Sequence, residues 1–121
     1  MKRRDTGILG EKLARDFLKK RGYRILETNY RCPHGEIDIV ARDKDSLVFV
    51  EVRAKKSSEF GSPEESITPV KKERMKATAY YYWQTHTDLP PSWRIDMVAV
   101  ELNQNGKPSR ISLIENAISE D

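Results

Sequence analysis

Residues 35–53 carry the pattern that decides the fold: Gly-Glu-Ile-Asp-Ile-Val-Ala-Arg-Asp-Lys-Asp-Ser-Leu-Val-Phe-Val-Glu-Val-Arg. Residues 36–41 alternate two isoleucines and an alanine with other side chains, which predicts a strand. Residues 42–46 are polar and predict a hairpin loop. Residues 47–53 are almost entirely apolar, a pattern typical of a strand that is covered on both faces. The stretch therefore predicts an antiparallel strand pair inside a sheet with a further layer on each side.

Helix and strand patterns on either side of this pair complete the predicted fold. Apolar residues spaced by three and four predict a first helix, and a Thr-Pro pair predicts the start of a second. The flanking elements are a helix from Thr6 to Arg21 stopped by Gly22, a strand from Tyr23 to Tyr30, a surface loop from Ser57 to Ser66, a helix from Thr68 to about Thr85, a strand from Trp93 to Leu102, and a returning strand from Arg110 to Glu115 after Asn105-Gly106. The order α-β-β-β-α-β with a C-terminal β-hairpin predicts an α/β (α+β) fold, a mixed sheet flanked by helices.

Composition limits the classes of protein to which the chain can belong. Its 121 residues suit one domain, and we expect residues 1–121 to form it, with residues 1–6 as a flexible tail. One cysteine cannot form an intramolecular disulfide, and with two histidines it cannot complete a four-ligand zinc site. No apolar run approaches the roughly 20 residues of a membrane-spanning helix, and no apolar stretch follows the basic N-terminus as in a secretory signal. We therefore expect a cytoplasmic protein without a membrane partner.

Charge is unevenly distributed along the chain. Residues 1–24 contain nine basic and three acidic residues, residues 25–52 contain three basic and six acidic, and residues 53–76 contain seven basic and four acidic. An acidic centre between basic flanks suits a metal-dependent enzyme acting on a polyanion, because carboxylates hold the cation while Lys and Arg neutralise phosphates. Random clustering on a solvated surface explains the same counts, so the motifs must decide between the two.

Two carboxylates lie inside the predicted strand pair, at Asp38 and Glu51. Burial of a carboxylate costs several kcal/mol unless the group is paired or metal-bound. In an antiparallel hairpin Asp38 and Glu51 lie side by side, and Arg53 shares a face with Glu51. Such a cluster suits Mg²⁺, which takes one or two protein carboxylates together with water and phosphate oxygens. The alternative is an ordinary Glu51–Arg53 pair, with Asp38 on a solvated edge.

Two helical residues extend this candidate site. Glu11 lies at the margin of the apolar stripe of the first helix, where its carboxylate either reaches the sheet or serves only the helix dipole. Lys71 lies in the first turn of the second helix, where backbone N–H groups already favour phosphate, and it is our preferred phosphate contact. The aromatic segment 80–83 is expected to pack mainly in the core, with base stacking as the alternative.

Five motifs taken together resemble those of the bacterial YraN-like family. They are Gly7-x-x-Gly10-Glu11-x-x-Ala14, Gly35-Glu-Ile-Asp38-Ile-Val-Ala41, Leu47-Val-Phe-Val-Glu51-Val-Arg53, Phe60-Gly61 and Arg94-Ile-Asp96. The motifs occur in this order between Gly7 and about Val100. That family is similar to the archaeal Holliday-junction resolvases and belongs to the restriction-endonuclease-like superfamily, whose signature is a PD-(D/E)xK motif.

The resemblance implies an αβββαβ core and a nuclease that hydrolyses DNA, with branched or structured DNA as the expected substrate and Mg²⁺ or Mn²⁺ as the cofactor. It implies that Glu11, Asp38 and Glu51 bind the metal and that these three act with Arg53 as the catalytic residues. Together with the charge pattern, it places nucleic-acid contacts at Arg53, Lys55 and Lys71. Because resolvase-like proteins generally work as dimers, a homodimer stays open beside a monomer, with the C-terminal hairpin or the aromatic helix as its contact.

Two positions depart from the superfamily motif. No proline directly precedes Asp38, and Arg53 occupies the position of the motif lysine. Arginine stays protonated in proteins, so Arg53 cannot act as a general base, although it can bind phosphate or position the attacking water. The departure keeps a second hypothesis open, a catalytically inactive nucleic-acid-binding module of the same fold. A third is an interaction scaffold that uses the aromatic helix.

Overall fold

A computed structural model of the protein describes residues 2–56 and 61–118. Its elements in chain order are α1 (Arg3–Lys20), β1 (Arg24–Cys32), β2 (Gly35–Asp43), β3 (Ser46–Lys56), a short 3-10 helix (Pro63–Ser66), α2 (Pro69–Thr85), β4 (Ser92–Leu102) and β5 (Pro108–Ile114). The loop expected from Ser57 to Ser66 is therefore helical in its last four residues, and residues 57–60 lie outside the described residues. Within the described ranges, no helix is both long and apolar enough to cross a membrane.

The five strands form one sheet in the order β1-β2-β3-β4-β5. The pairs β1–β2, β2–β3 and β4–β5 are antiparallel, and the pair β3–β4 is parallel. A parallel pair needs a crossover connection, and α2 lies in that connection. This arrangement confirms the predicted mixed sheet with two helices and a C-terminal hairpin.

The two helices cover opposite faces of the sheet. Since successive side chains of β3 point to opposite faces, β3 contributes to the apolar cluster under each helix. One apolar cluster lies under α1 and includes the buried residues Ala14, Leu18, Val48, Val50 and Val98. The other lies under α2 and includes the buried residues Leu47, Phe49, Met75, Ala79 and Tyr82. β3 is thus covered on both faces, as its uninterrupted apolar sequence predicts.

α1 ends at the glycine that the sequence indicates as its stop. Gly22 adopts a left-handed backbone conformation with φ of 91°. Its N–H donates to the carbonyl of Lys19 at 3.0 Å, and the N–H of Tyr23 donates to the carbonyl of Leu18 at 3.0 Å. These two bonds form a Schellman motif, which satisfies carbonyls that the end of the helix would otherwise leave unpaired.

The start of α1 differs from the prediction. The helix begins at Arg3 instead of Thr6, so most of the segment 1–6 that we expected as a flexible tail is helical. The N–H of Thr6 donates to the carbonyl of Lys2 at 3.1 Å, and Asp5 places a negative charge in the first turn, which the helix dipole stabilises. The apolar periodicity that marks the rest of α1 does not extend to these residues, so the pattern predicts a start that is too late.

α2 begins where the Thr-Pro pair predicts. Thr68 is the N-cap, and its Oγ1 accepts a hydrogen bond from the N–H of Lys71 at 3.2 Å. Pro69 occupies the first helical position, where its missing N–H costs nothing. Met75 and Ala79 are buried in the cluster under α2 and hold the helix on the sheet. The first turn of α2, with Lys71, is therefore held in a defined place.

The two faces of β2 do not follow the alternation expected from its sequence. Ile37 belongs to the cluster under α2, whereas Ile39 and Ala41 belong to the cluster under α1. The change of face occurs at Asp38, just beyond the last paired position of β2 and β3, Ile39 with Val50. A strand that leaves its partner is free to rotate about its own axis, so the strict two-residue period fails at this point.

A satisfied polar network lies at the opposite end of β2. Asp96 is fully buried, and its carboxylate accepts hydrogen bonds from Nε of Arg94 at 3.0 Å and from the N–H of Asn116 at 2.9 Å. Nη2 of Arg94 donates to the hydroxyl of Tyr23 at 2.8 Å and to Asp43 at 3.1 Å. These contacts tie β2 and β4 to the segment between α1 and β1, and they give the Arg94-Ile-Asp96 motif a structural role.

The contact between α1 and β3 provides a test of the packing. A Cβ at Gly10 would overlap the Cβ of Ala54, whereas a Cβ at Gly7 on the same helix would meet nothing within 4 Å. We expect Gly10→Ala to lower the free energy of unfolding by about 1–3 kcal/mol, because overpacking outweighs the gain of up to about 1 kcal/mol in helix propensity. Gly7→Ala should keep only that gain. Urea unfolding of both variants measures the difference, and equal effects would contradict the close contact.

Candidate functional site

The two strand carboxylates meet where β2 leaves β3. Pairing between these strands ends at Ile39 and Val50, so the next position on each strand is Asp38 or Glu51. Oδ2 of Asp38 accepts a hydrogen bond from the backbone N–H of Val52 at 2.7 Å. Glu51 is only 3% exposed. The side chain of Asp38 therefore satisfies a β3 backbone group and is fixed beside the buried carboxyl group of Glu51.

Asp38 keeps its proton to an unusually high pH. Burial, the negative charge of Glu51 and a hydrogen bond to Glu51 together raise the pKa of Asp38 to about 8. The hydrogen bond from Val52 and the charge of Lys71 lower the pKa but do not offset these effects. Near pH 7 Asp38 therefore carries a proton, which relieves the repulsion of two buried negative charges.

Two cationic side chains contact the same oxygen of Glu51. Nη2 of Arg53 lies 3.2 Å from Oε2 of Glu51, and Nζ of Lys71 lies 3.5 Å from that atom. The side chains of Arg53 and Lys71 are 31% and 29% exposed, so both remain accessible to a ligand. Arg53 also has a buried Nε without a hydrogen-bond partner in the described part of the chain. An acceptor oxygen at this atom would satisfy a donor that is otherwise costly to bury.

Glu11 reaches the edge of this cluster from α1. Its nearest cation is Arg15, one turn further along the helix, with Nη1 at 3.6 Å from Oε1. Burial and the charge of Asp38 raise the pKa of Glu11, whereas a hydrogen bond from the side chain of Asn29 lowers it. Among residues 2–56 and 61–118, no three carboxylate, histidine or cysteine side chains form a ready metal-binding cluster. The charge of Asp38 thus acts on Glu11, but the described residues do not gather all three predicted acids into one ligand set.

Asn29 is a site residue that the sequence reasoning missed. It lies within β1 with a left-handed φ of 54°. The residues on either side of it pair with those on either side of Asp38, so Asn29 lies opposite Asp38 in the sheet. Asparagine is disfavoured in strands but adopts the left-handed region more readily than most residues. An asparagine inside a predicted strand, one residue before its end, was the signal that could have identified it.

Two grooves border the site, and basic residues line both. One, of about 490 Å³, lies between the β1–β2 turn and α2, and its charged lining residues are Arg31, Glu36, Lys71 and Arg74. The other, of about 760 Å³, lies along α1, and its charged lining residues are Arg4, Asp5, Glu11, Lys12, Arg15 and Arg31. Lys55 lies apart from both, in a groove of about 390 Å³ that it shares with Arg53. Lys71 is thus at the carboxyl pair, whereas Lys55 lies further along β3.

The raised pKa of Asp38 predicts that the free energy of unfolding of the protein depends on pH. The folded state holds a proton on Asp38 that the unfolded chain releases near its ordinary pKa, so this contribution to stability is present at acidic pH and is lost as pH rises through about 8. Asp38→Asn keeps a neutral group and an acceptor for Val52. From about pH 5 to about pH 9, its free energy of unfolding should rise relative to wild type by roughly 1–3 kcal/mol.

Denaturant unfolding at the two pH values measures this change. Glu36→Gln is a matched control on the same strand, because the Glu36 side chain is 53% exposed and forms a surface pair with Arg31. It should change the free energy of unfolding by less than about 0.5 kcal/mol at both pH values. A difference between Asp38→Asn and wild type that does not change with pH would argue against a protonated Asp38.

Comparison with known proteins identifies the family. The model of the family described as "Uncharacterised protein family UPF0102" matches residues 10–100. The UPF0102 protein of Dehalococcoides mccartyi is 48% identical over 119 residues, covering 98% of this chain and 97% of the relative. Those of Syntrophus aciditrophicus and Caldicellulosiruptor saccharolyticus are 46% and 42% identical, covering 93% and 97% of this chain and 87% and 99% of the relatives. The chain therefore belongs to family UPF0102, which confirms its resemblance to the YraN-like proteins.

Proposed function

We propose that this protein is a metal-dependent nuclease that hydrolyses phosphodiester bonds of nucleic acid. The observation that carries the proposal is the buried pair of Asp38 and Glu51 with two cations, Arg53 and Lys71, on one Glu51 oxygen. Acidic ligands for a cation beside basic ligands for phosphate are what phosphodiester hydrolysis needs. The resemblance to Holliday-junction resolvases favours DNA over RNA, with branched or structured DNA as the substrate.

The residues present fit Mg²⁺ or Mn²⁺. Protein sites for Mg²⁺ often use only one or two carboxylates, and water and substrate oxygens complete the shell, so Asp38 and Glu51 suffice. The proton that Asp38 holds near pH 7 marks a position where positive charge is favourable. The charge of Asp38 raises the pKa of Glu11, and Glu11 is the third candidate ligand. When bound there, the metal ion would supply an activated water and stabilise negative charge at the phosphate.

Arg53 and Lys71 are the phosphate-binding residues in this proposal. A guanidinium group binds phosphate oxygens through a planar fork of donors, and Arg53 has a buried Nε donor that remains unpaired within the described residues. Lys71 adds a point charge from the first turn of α2. Because Arg53 cannot accept a proton, its role is to hold the phosphate or orient the attacking water.

A non-catalytic nucleic-acid-binding module is the second candidate. Two observations favour it: arginine replaces the motif lysine, and the charge of Glu51 is already balanced by Arg53 and Lys71 without a metal ion. In this case the same basic residues would hold nucleic acid, and the carboxyl pair would only orient them. This candidate predicts salt-dependent binding without cleavage.

Cleavage assays test the leading proposal. Junction, flap and single-stranded DNA are incubated with Mg²⁺ or Mn²⁺ and with wild type, Asp38→Asn, Glu51→Gln or the control Glu36→Gln. We expect metal-dependent cleavage that falls by roughly 100-fold or more in the two site variants and is unchanged in the control. Cleavage that survives both chelation and Asp38→Asn would refute the metal-site assignment. DNA binding without cleavage, together with no calorimetric signal of Mn²⁺ binding, would favour the non-catalytic module.

The role of Lys71 is tested separately by DNA binding at several salt concentrations. Lys71→Ala should weaken binding to all sequences alike and make the slope of log K against log salt shallower by about 1, because one phosphate contact is lost. Lys72→Ala is the matched control, because Lys72 is its exposed neighbour in α2. Equal effects of the two substitutions would show that only the general charge of the helix matters.

A further inference from the structure

The groove between the β1–β2 turn and α2 leads away from the carboxyl pair. Its volume is about 490 Å³, and the turn and the first half of α2 form its walls. Lys71 lines this groove, and its Nζ also lies 3.5 Å from Oε2 of Glu51. The groove therefore opens at the carboxyl pair, and a chain that places one phosphate at Lys71 can continue into it.

The turn that forms one wall packs directly on α2. Gly35 has a φ of 150°, and a Cβ there would lie 3.1 Å from Oγ1 of Thr78 and 3.7 Å from Cβ of Arg74. Within the turn, Sγ of Cys32 accepts a hydrogen bond from the N–H of His34 at 3.4 Å. Because a glycine allows this close approach, the turn and the helix are in contact and the groove between them is preformed.

The groove presents positive charge and an exposed aromatic ring. Arg74 is exposed and forms no salt bridge with any of the described residues. The imidazole of His34 is also exposed, and it contacts the ring of Tyr81 edge-on with centroids 5.5 Å apart. Three of the four charged lining residues are basic, namely Arg31, Lys71 and Arg74, against Glu36. A basic groove that follows a phosphate backbone, with an aromatic ring that stacks on a base, is typical of sites for single-stranded nucleic acid.

We propose that this groove binds the single-stranded segment of DNA next to the scissile phosphate, with a base stacked on His34 and a phosphate on Arg74. The inference rests on the proposed nuclease function, because it assigns the groove to the same substrate. An unpaired segment fits better than a duplex, since bases inside a duplex stack on their neighbours and must leave the stack to meet a protein ring. The volume lies in the range of about 300–1,000 Å³ that small ligands occupy, so the groove suits individual nucleotides and not a double helix.

The stacking contact is tested by fluorescence anisotropy with labelled oligothymidylate and with the matching duplex, in EDTA so that no cleavage occurs. His34→Ala should weaken binding of the single strand about fivefold or more, because one stacked base is lost. His34→Phe retains a ring and should bind within about twofold of wild type. Tyr80→Ala is the matched control, because Tyr80 is a 55% exposed aromatic residue of α2 that does not line the groove.

The phosphate contact is tested by the salt dependence of the same binding. Arg74→Ala should make the slope of log K against log salt shallower by about 0.7, the value for one phosphate of a single strand. Lys72→Ala is the control, because Lys72 is an exposed basic residue of α2 that does not line the groove, and it should change the slope less. His34 and Arg74 are both exposed, so the urea midpoints of their variants should stay close to that of wild type.

The outcomes separate the groove from the nuclease. Unchanged single-strand binding in both groove variants while the wild type cleaves DNA, or an equal loss for single strand and duplex in His34→Ala, would overturn the groove assignment and leave the nuclease intact. Absence of cleavage by a wild type whose DNA binding depends on His34 and Arg74 would overturn the nuclease and keep the groove as the binding site of the non-catalytic module. No binding of either DNA by the wild type would overturn both.

Discussion

The hydrogen bond from the backbone of Val52 to the side chain of Asp38 is the constraint on which the rest of the site depends. This bond satisfies the N–H of Val52 at the point where β2 leaves β3. A buried backbone donor without a partner would destabilise the fold. β3 then continues to Lys56 and stays paired with β4 along its whole length. The divergence of one strand while its neighbour remains straight makes room for the Glu51 carboxyl group and for the cations that reach it.

Two aspartates in the same sheet have different hydrogen-bond partners. Asp96 is fully buried, and burial raises its pKa, but a guanidinium group and a backbone N–H both donate to its carboxylate and lower the pKa in turn. Asp38 has one backbone donor and faces another carboxyl group, so burial raises its pKa to about 8. A buried acid that is short of positive partners is a common feature of sites that bind a cation or transfer a proton.

The sequence was sufficient to predict most of the architecture, because periodicity, the Thr-Pro start of α2 and Gly22 are local signals. It also predicted that Asp38, Glu51, Arg53 and Lys71 would share one region, since their elements are adjacent in the predicted fold. It did not predict the change of face at Asp38 or the left-handed backbone of Asn29 opposite it, because both depend on how the strands twist where β2 leaves β3. Lys55 shares the alternation of Arg53, so the pattern alone does not show that Arg53 is the residue paired with Glu51.

The close approach of α1 to β3 at Gly10 and Ala54 has a consequence for the site as well as for the core. Glu11 directly follows Gly10, so the distance between the helix axis and the sheet sets how far the Glu11 side chain extends over the strands. A larger residue at position 10 would push this turn of α1 away from β3. The Glu11 carboxylate would then move away from the strands by a fraction of the length of its side chain. The absence of a side chain at Gly10 thereby determines how far Glu11 reaches over the sheet. The geometry of this site therefore depends partly on the Cβ that Gly10 lacks.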